Sequence, residues 1–313
     1  MRAAVVERYG PPEVVQVRDV PAPDVRRGRL LVRVRATAVT SADGRIRAAR
    51  FPRGFGPFAR LAFGVRRPRR TVLGGVFSGV VEEVGPGVSG FSVGDEVCGM
   101  TGVSFGGHAE LVCVPAAKTS RKPAGVSHED AAGVLFGGAT ALHFLGDRVR
   151  PGQRVLVNGA SGAIGTAAVQ LARNAGAHVT AVCSGRNADL VRSLGADEVV
   201  DHTTTSVLDL PATHDVVLDT VGNLDRHSGR RLLAPGGVVL LAVAGLTDVV
   251  LARGDVRAGT SAEDPAVFDR LLALVAAGDL DPVVSRTLPL DEVVEAHRVV
   301  DSGRKVGSLV LTP

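Results

Sequence analysis

The residues of this chain best suited to chemistry lie at 157–165, VNGASGAIG. The apolar run RVLVN leads into Gly159, Ala160, Ser161, Gly162, Ala163, Ile164 and Gly165, and these lead into the helical stretch TAAVQLARNAG. Gly162 lets the backbone approach a pyrophosphate, Gly165 permits close helix–strand packing, and the helix start aims N–H groups at the anion. Ala160 stands where such loops usually carry their first glycine, so the pattern is AxGxxG; its position between a strand and a helix marks a dinucleotide site. Cofactor choice is read about 20 residues further on, where a carboxylate would hold the ribose of NAD. Here HVTAVCSGRN ends in Ser184, Gly185, Arg186 and Asn187. No carboxylate stands there to repel a 2′-phosphate and Arg186 can pair with one, so NADPH is expected over NADH. The other reading of Arg186 is a surface arginine at a helix start.

Several chemistries are excluded by residue type. A tyrosine–lysine pair one helical turn apart, which would lower a phenol's pKa for proton donation, is ruled out: the single tyrosine is Tyr9 and the lysines are Lys118, Lys122 and Lys305. Cys98, Cys113 and Cys183 are widely spaced and contain no CxxC, which argues against a disulfide framework and against a structural zinc knuckle. The net charge of +4 and the run VRRPRR at 65–70 raise the question of nucleic acid. No aromatic residues interleave with those arginines for base stacking, so a solvated loop is expected and nucleic-acid binding is not. The first residues, MRAAVVERYG, have no apolar targeting core, and no long uncharged apolar run follows. A cytoplasmic protein that does not bind membranes is the expectation.

The elements that must position the glycine loop follow two rhythms. Up to about residue 115 the chain reads as short β-strands between glycine and proline turns, including LLVRVRATAV and GVVEEVGPGVSGFSVGDEVCG. From Ser127, an N-cap ahead of HEDAAGVLFGGATALHFL, strands alternate with amphipathic helices. These strands are apolar on both faces, which predicts a parallel sheet covered by helices on each side. DPAVFDRLLALVAAGDL reads as a helix beginning at Asp264 and Pro265 and stopping at Gly278, LDEVVEAHRVVDSG as another, and KVGSLVLTP as a strand returning to the N-terminal β-region.

A β-rich first third, a central AxGxxG and a C-terminal return strand resemble the medium-chain dehydrogenase/reductase superfamily, and the resemblance spans essentially the whole chain. It is carried by TVLGGVFSGVVEEVGPGVSGFSVGDEVCG, GGHAELVCVPAAK, QRVLVNGASGAIGTAAVQLAR and LGADEVVD. The branch it is similar to is the zinc-independent quinone oxidoreductases and enoyl or enone reductases. The implied α/β fold is a GroES-like β-rich catalytic domain over 1–120 and 265–313, with a Rossmann doubly wound parallel-sheet domain over 121–264. Zinc-dependent members carry a cysteine where this chain has Thr40, and Gly-His-Glu where it has Gly74, Gly75 and Val76; their cysteine-rich lobe is missing here. No metal is expected.

The implied reaction is hydride transfer from NADPH to a quinone or an α,β-unsaturated carbonyl, a step that needs mainly positioning. An enoyl thioester as acceptor, or a non-catalytic NADPH-binding sensor or RNA-binding module, are the alternatives. By the same resemblance Thr40 and Ser41 would hydrogen-bond the acceptor carbonyl, and Asp43 would either help or serve as a cap. Thr140 would pack beside the nicotinamide or bond its own helix. His202 would lie near the adenosine phosphate, and the segments at Val221 and Val243 against the cofactor. His108 and His143 are expected to be structural. The segment from Ile46 to Arg70 is expected to border the pocket. A homodimer is implied, with GGVVLLAVAG as the Rossmann edge strand available for pairing.

Overall fold

Alternation along the chain builds the first sheet. In Arg29–Ala38 the residues Leu30, Val32, Val34 and Ala36 are buried, while Arg33 and Arg35 between them reach outward, the period of two that a half-buried strand requires. The computed structural model describes all 313 residues. A hairpin of β1 (Arg2–Val6) and β2 (Val15–Asp19) precedes that strand, β3 (Arg29–Ala38). Two short helices follow, α1 (Ser41–Ala48) and α2 (Gly56–Phe63), then β4 (Val76–Val84), β5 (Glu96–Met100), β6 (Leu111–Pro115) and β7 (Thr119–Arg121). Helix α3 (His128–Leu145), capped by the Ser127 hydroxyl accepting from the Asp130 N–H, leads into the second region.

There the strand–helix rhythm is regular: β8 (Arg154–Asn158), α4 (Ala163–Asn174), β9 (His178–Cys183), α5 (Ala188–Ser193), β10 (Glu198–Asp201), β11 (His214–Asp219), α6 (Arg226–Arg230), β12 (Leu233–Leu241), α7 (Leu246–Val250) and β13 (Val256–Ala258). All the pairings are parallel, in the order β10-β9-β8-β11-β12-β13. This is the doubly wound order, and the winding reverses between β8 and β11, where such sheets bind ligands beyond their carboxyl ends.

The chain ends with α8 (Pro265–Ala277), β14 (Val284–Pro289), α9 (Val293–Asp301) and β15 (Ser308–Thr312). Helix α8 starts at an Asp264 cap and stops at Gly278 in the left-handed conformation, as its sequence indicates. Strand β15 pairs antiparallel with β3, so both ends of the chain share one sheet, ordered β14-β15-β3-β4-β5-β7 with β6 also on β3. Helix α3 joins the two regions. A continuous cluster of 36 buried residues runs from Ala36, Val76 and Cys98, through Leu135 and Ala139, to Val155 and Val157. No helix is long and apolar enough to cross a membrane.

One expectation is corrected. GGVVLLAVAG is not the edge of the parallel sheet: β12 is an interior strand, and β13 covers its outer side with Val239 opposite Val256 and Leu241 opposite Ala258. Strand β13 has only three residues, one of them Arg257, and so produces no apolar run in the sequence.

Behind α1, α9 buries a polar group that the fold tolerates only in one protonation state. His297 is fully buried, neither ring nitrogen has a hydrogen-bond partner, and its ring meets that of His108 edge-on at 6.1 Å. Burial first, then the neighbouring His108 and Arg47, push its pKa well down, with Asp43 opposing. Below the ordinary value of 6.5 the unfolded chain binds a proton that the folded one refuses. Stability is therefore expected to fall as pH drops below 6.5, by up to about 1.4 kcal/mol per pH unit from this group. Urea unfolding between pH 7 and 5 checks this, and His297→Leu should flatten the slope; an unchanged slope would remove His297 as its cause.

Candidate functional site

Strand β8 delivers the glycine loop to the point where the sheet reverses. Its last residue, Asn158, donates from Nδ2 to Asp219 Oδ1 at 2.8 Å and to Asn223 Oδ1 at 2.6 Å, while the Thr220 hydroxyl donates to Asn158 O at 2.8 Å. Asp219 is fully buried at the end of β11, and its carboxylate also accepts from the N–H groups of Val221, Gly222 and Leu224. Burial raises its pKa and these four donors pull it back, which is the arrangement of a carboxylate that shapes a loop. Asn158, Asp219, Thr220 and Asn223 were not singled out in the sequence, because their relationship spans about sixty residues of chain.

Helix α4 begins at Gly162, which caps it without any side-chain acceptor. The N–H groups of its first turn have no carbonyl within the helix and face a cavity of about 1080 Å³. Among its lining residues are Ser161, Gly162, Ala163, Ile164, Ser184, Arg186, Asn187, His202, Val221, Val243 and Thr140, so all the residues read as cofactor-binding share one cavity. Ser161 Oγ accepts from Asn187 Nδ2 at 3.1 Å, and Ser184 Oγ lies 3.1 Å from His202 Nε2. Arg186 is exposed and has no protein partner. A carboxylate does lie nearby, Asp201 beneath Gly185, but its Oδ1 accepts from the N–H and hydroxyl of Thr203, and it does not line the cavity. The Thr140 hydroxyl donates to Phe136 O at 2.8 Å, bonding its own helix while still lining the cavity.

The loop before β15 crosses this site. Gly307 N donates to Ser161 O at 2.8 Å, which lays residues 305–307 against the glycine loop. Lys305 lines the cavity there, donates to Gly307 O, and is pushed by burial down to about 8. It was not read as a site residue; its only signal was the rarity of lysine in an arginine-rich chain.

At the other end, α1 brings in Thr40 and Ser41, and of the two roles expected for Asp43 the geometry selects the cap over contact with the acceptor. Asp43 Oδ2 accepts from the Thr40 N–H at 2.9 Å and the Thr40 hydroxyl at 2.6 Å, while Oδ1 accepts from Gly74 N at 3.1 Å. With Thr40 Oγ1 accepting from Asp43 N, this is a capping box, and Asp43 does not line the cavity. Thr40 lines the cavity, but its proton is committed to Asp43, so it does not present a free donor. Ser41 is exposed, lines the cavity, and has no internal bond on its hydroxyl.

His108 is buried with Nε2 3.2 Å from Ala38 O, His143 lies outside, and neither lines the cavity. Of the segment from Ile46 to Arg70 only Ala48 and Arg50 reach the wall; Arg53 O instead accepts from Leu246 N, so α2 and the exposed arginines of VRRPRR stand away from it. Burial pushes the Cys98 thiol up to about 12, which makes it inert.

The chain matches two family models, an alcohol dehydrogenase GroES-like domain over residues 26–124 and a zinc-binding dehydrogenase domain over residues 194–311. The residues do not fit a zinc site: Val76 is a buried core residue, and nowhere do three or more His, Cys, Asp or Glu side chains gather to hold a metal ion. The mouse mitochondrial NAD(P)H oxidoreductase RTN4IP1 is 32% identical over 99% of this chain and 89% of its own length. The chloroplastic NADPH-dependent alkenal/one oxidoreductase of Arabidopsis thaliana is 28% identical over 100% of this chain and 80% of its own. The structure of the quinone oxidoreductase from Coxiella burnetii superposes with a TM-score of 0.90 at 27% identity, over 100% of this chain and 99% of that one.

Proposed function

Since the chain belongs to the medium-chain dehydrogenase/reductase superfamily, in its quinone oxidoreductase-like branch, and is an NAD(P)H-type oxidoreductase, we propose that it uses NADPH to reduce a quinone or an α,β-unsaturated carbonyl without zinc. The observation that carries this reading is one continuous cavity joining the uncapped start of α4 to the exposed hydroxyl of Ser41. Bound in this cavity, a nicotinamide would supply hydride chemistry toward the electron-poor carbon, with solvent as the source of the proton. The protein contributes position. The first turn of α4 and Lys305 would hold the pyrophosphate, and Arg186, with Ser184 and His202 beside it, would take the 2′-phosphate. Val221 and Val243 form an apolar wall, and Ser41 donates to the acceptor carbonyl as charge builds on its oxygen. A panel of quinones and enones tests the reading by NADPH consumption; tight NADPH binding with no turnover across the panel would overturn it.

Lys305 gives this reading a pH signature. Below about 8 its ammonium is charged and attracts phosphate; above that it is neutral. Affinity for NADPH is expected to decline as pH rises from 7.5 to 9.5. Lys305→Met should bind roughly fivefold more weakly at pH 7, about 1 kcal/mol, and lose most of that decline. Fluorescence titration of bound NADPH measures both.

A further inference from the structure

The acceptor end of the cavity carries positive charge that the protein does not neutralise. Arg45, on α1, is half-buried and lines the wall, yet its guanidinium makes no ion pair or hydrogen bond with the protein. Burial lowers its pKa, and no carboxylate acts to raise it. Other cations in comparable settings are paired: Arg47 with Asp301 at 2.6 Å, Arg226 with Asp248 at 3.1 Å, Lys122 with Glu96 at 3.0 Å. Asp301, the acid of the same wall, is thus committed to Arg47. Glu263, the other acid lining the cavity, is held by Lys118 at 3.0 Å. Arg50 and Arg304, both exposed, also line the cavity and have no side-chain partner.

A desolvated cation without a counter-charge costs free energy unless an occupant supplies one. The dinucleotide accounts for Lys305 beside the glycine loop and Arg186 at the adenosine end. Arg45 is at neither place. It projects from the helix capped by Thr40, one residue after Gly44, which packs against Val300 and Asp301. We propose that the acceptor bears an anionic oxygen group, most simply a carboxylate, and that Arg45 grips it with Arg50 and Arg304 at the rim. A planar guanidinium fork matches two carboxylate oxygens and would fix the orientation of the alkene as well as select for charge. The substrate class is then an acidic enone or quinone. The inference rests on the reductase reading above.

The test compares (E)-4-oxopent-2-enoate with its methyl ester, which share one alkene, by the ratio of their kcat/KM values with NADPH. In Arg45→Gln the ratio of acid to ester should fall at least tenfold, Arg45→Lys should recover part of it, and in the wild type it should shrink between 50 and 500 mM salt. Because the intrinsic reactivities cancel between protein variants, the change reports the side chain. A phosphate-bearing acceptor would use the same chemistry, so crotonyl-coenzyme A is included: dependence on Arg45 for that thioester but not for the acid assigns the anion to the coenzyme's phosphates. A ratio unchanged within twofold in Arg45→Gln, with the thioester equally indifferent, overturns the proposal. If no acceptor is turned over, the reductase reading fails separately. Calorimetric binding of the acid and the thioester to the NADP⁺-loaded protein, wild type against Arg45→Gln, then decides the charge preference alone.

Discussion

Gly162→Ala is expected to leave the fold intact and to weaken NADPH binding roughly a hundredfold, about 2.7 kcal/mol. Gly162 has an ordinary φ of −82°, so alanine brings no backbone strain. A Cβ placed there meets only Gly159 O, at 3.5 Å, an ordinary contact. The site is an N-cap, where glycine outranks alanine, so a stability loss of about 1 kcal/mol or less is expected. What the methyl group occupies is the space above the first turn of α4 that a pyrophosphate must enter. Gly165→Ala fails differently. Its Cβ would lie 2.2 Å from Gly159 O and 2.6 Å from Ala160 Cα, both backbone atoms that cannot rotate away. Its melting temperature should fall along with its affinity. Thermal melts and NADPH titrations on both variants separate the cases; a Gly162→Ala protein that binds normally would show that the loop does not hold the pyrophosphate.

Arg186→Ala is expected to lower kcat/KM for NADPH about thirtyfold and to leave NADH within twofold. The side chain stands exposed at the adenosine end with no internal partner, so its removal breaks nothing in the fold. A charge-assisted bond to a phosphate contributes about 1.5–3 kcal/mol, and the lower part of that range applies at an exposed position. Asp201, the nearest carboxylate, stays charged, held low by the bonds from Thr203, but it lies beneath Gly185 and does not line the cavity. A wild-type preference for NADH, or equal losses with both cofactors, would contradict this assignment.

What the sequence disclosed follows from the range of the forces involved. The rhythm from β8 to β12 was legible because the central strands β8, β9 and β11 are buried on both faces, which forces apolar runs. The ends of α8 were legible because capping is local. Strand β13 escaped because pairing on β12 asks little of three residues. Asp43 shows the same limit from another side. Thr40 and Asp43 have the spacing of a capping box, a local signal, whereas their assignment to the acceptor came from resemblance, and the geometry commits both groups to each other. The support beneath the glycine loop could not be read, since Asn158 and Asp219 meet only once the sheet has formed. Lys305 likewise gains its meaning from the crossing of the C-terminal loop over Ser161. The uncompensated charge of Arg45 is a property of its surroundings and has no signature in the chain.

On the proposed function, this cavity brings a nicotinamide and a conjugated acceptor into contact for direct hydride transfer without a metal. The most direct measurement uses NADPH dideuterated at C4, an enone acceptor and excess EDTA, with the product analysed by mass spectrometry and NMR. The predicted result is one deuterium at the former β-carbon and full activity in the chelator. Product lacking deuterium at that carbon, or activity lost to EDTA and restored by zinc, would contradict it.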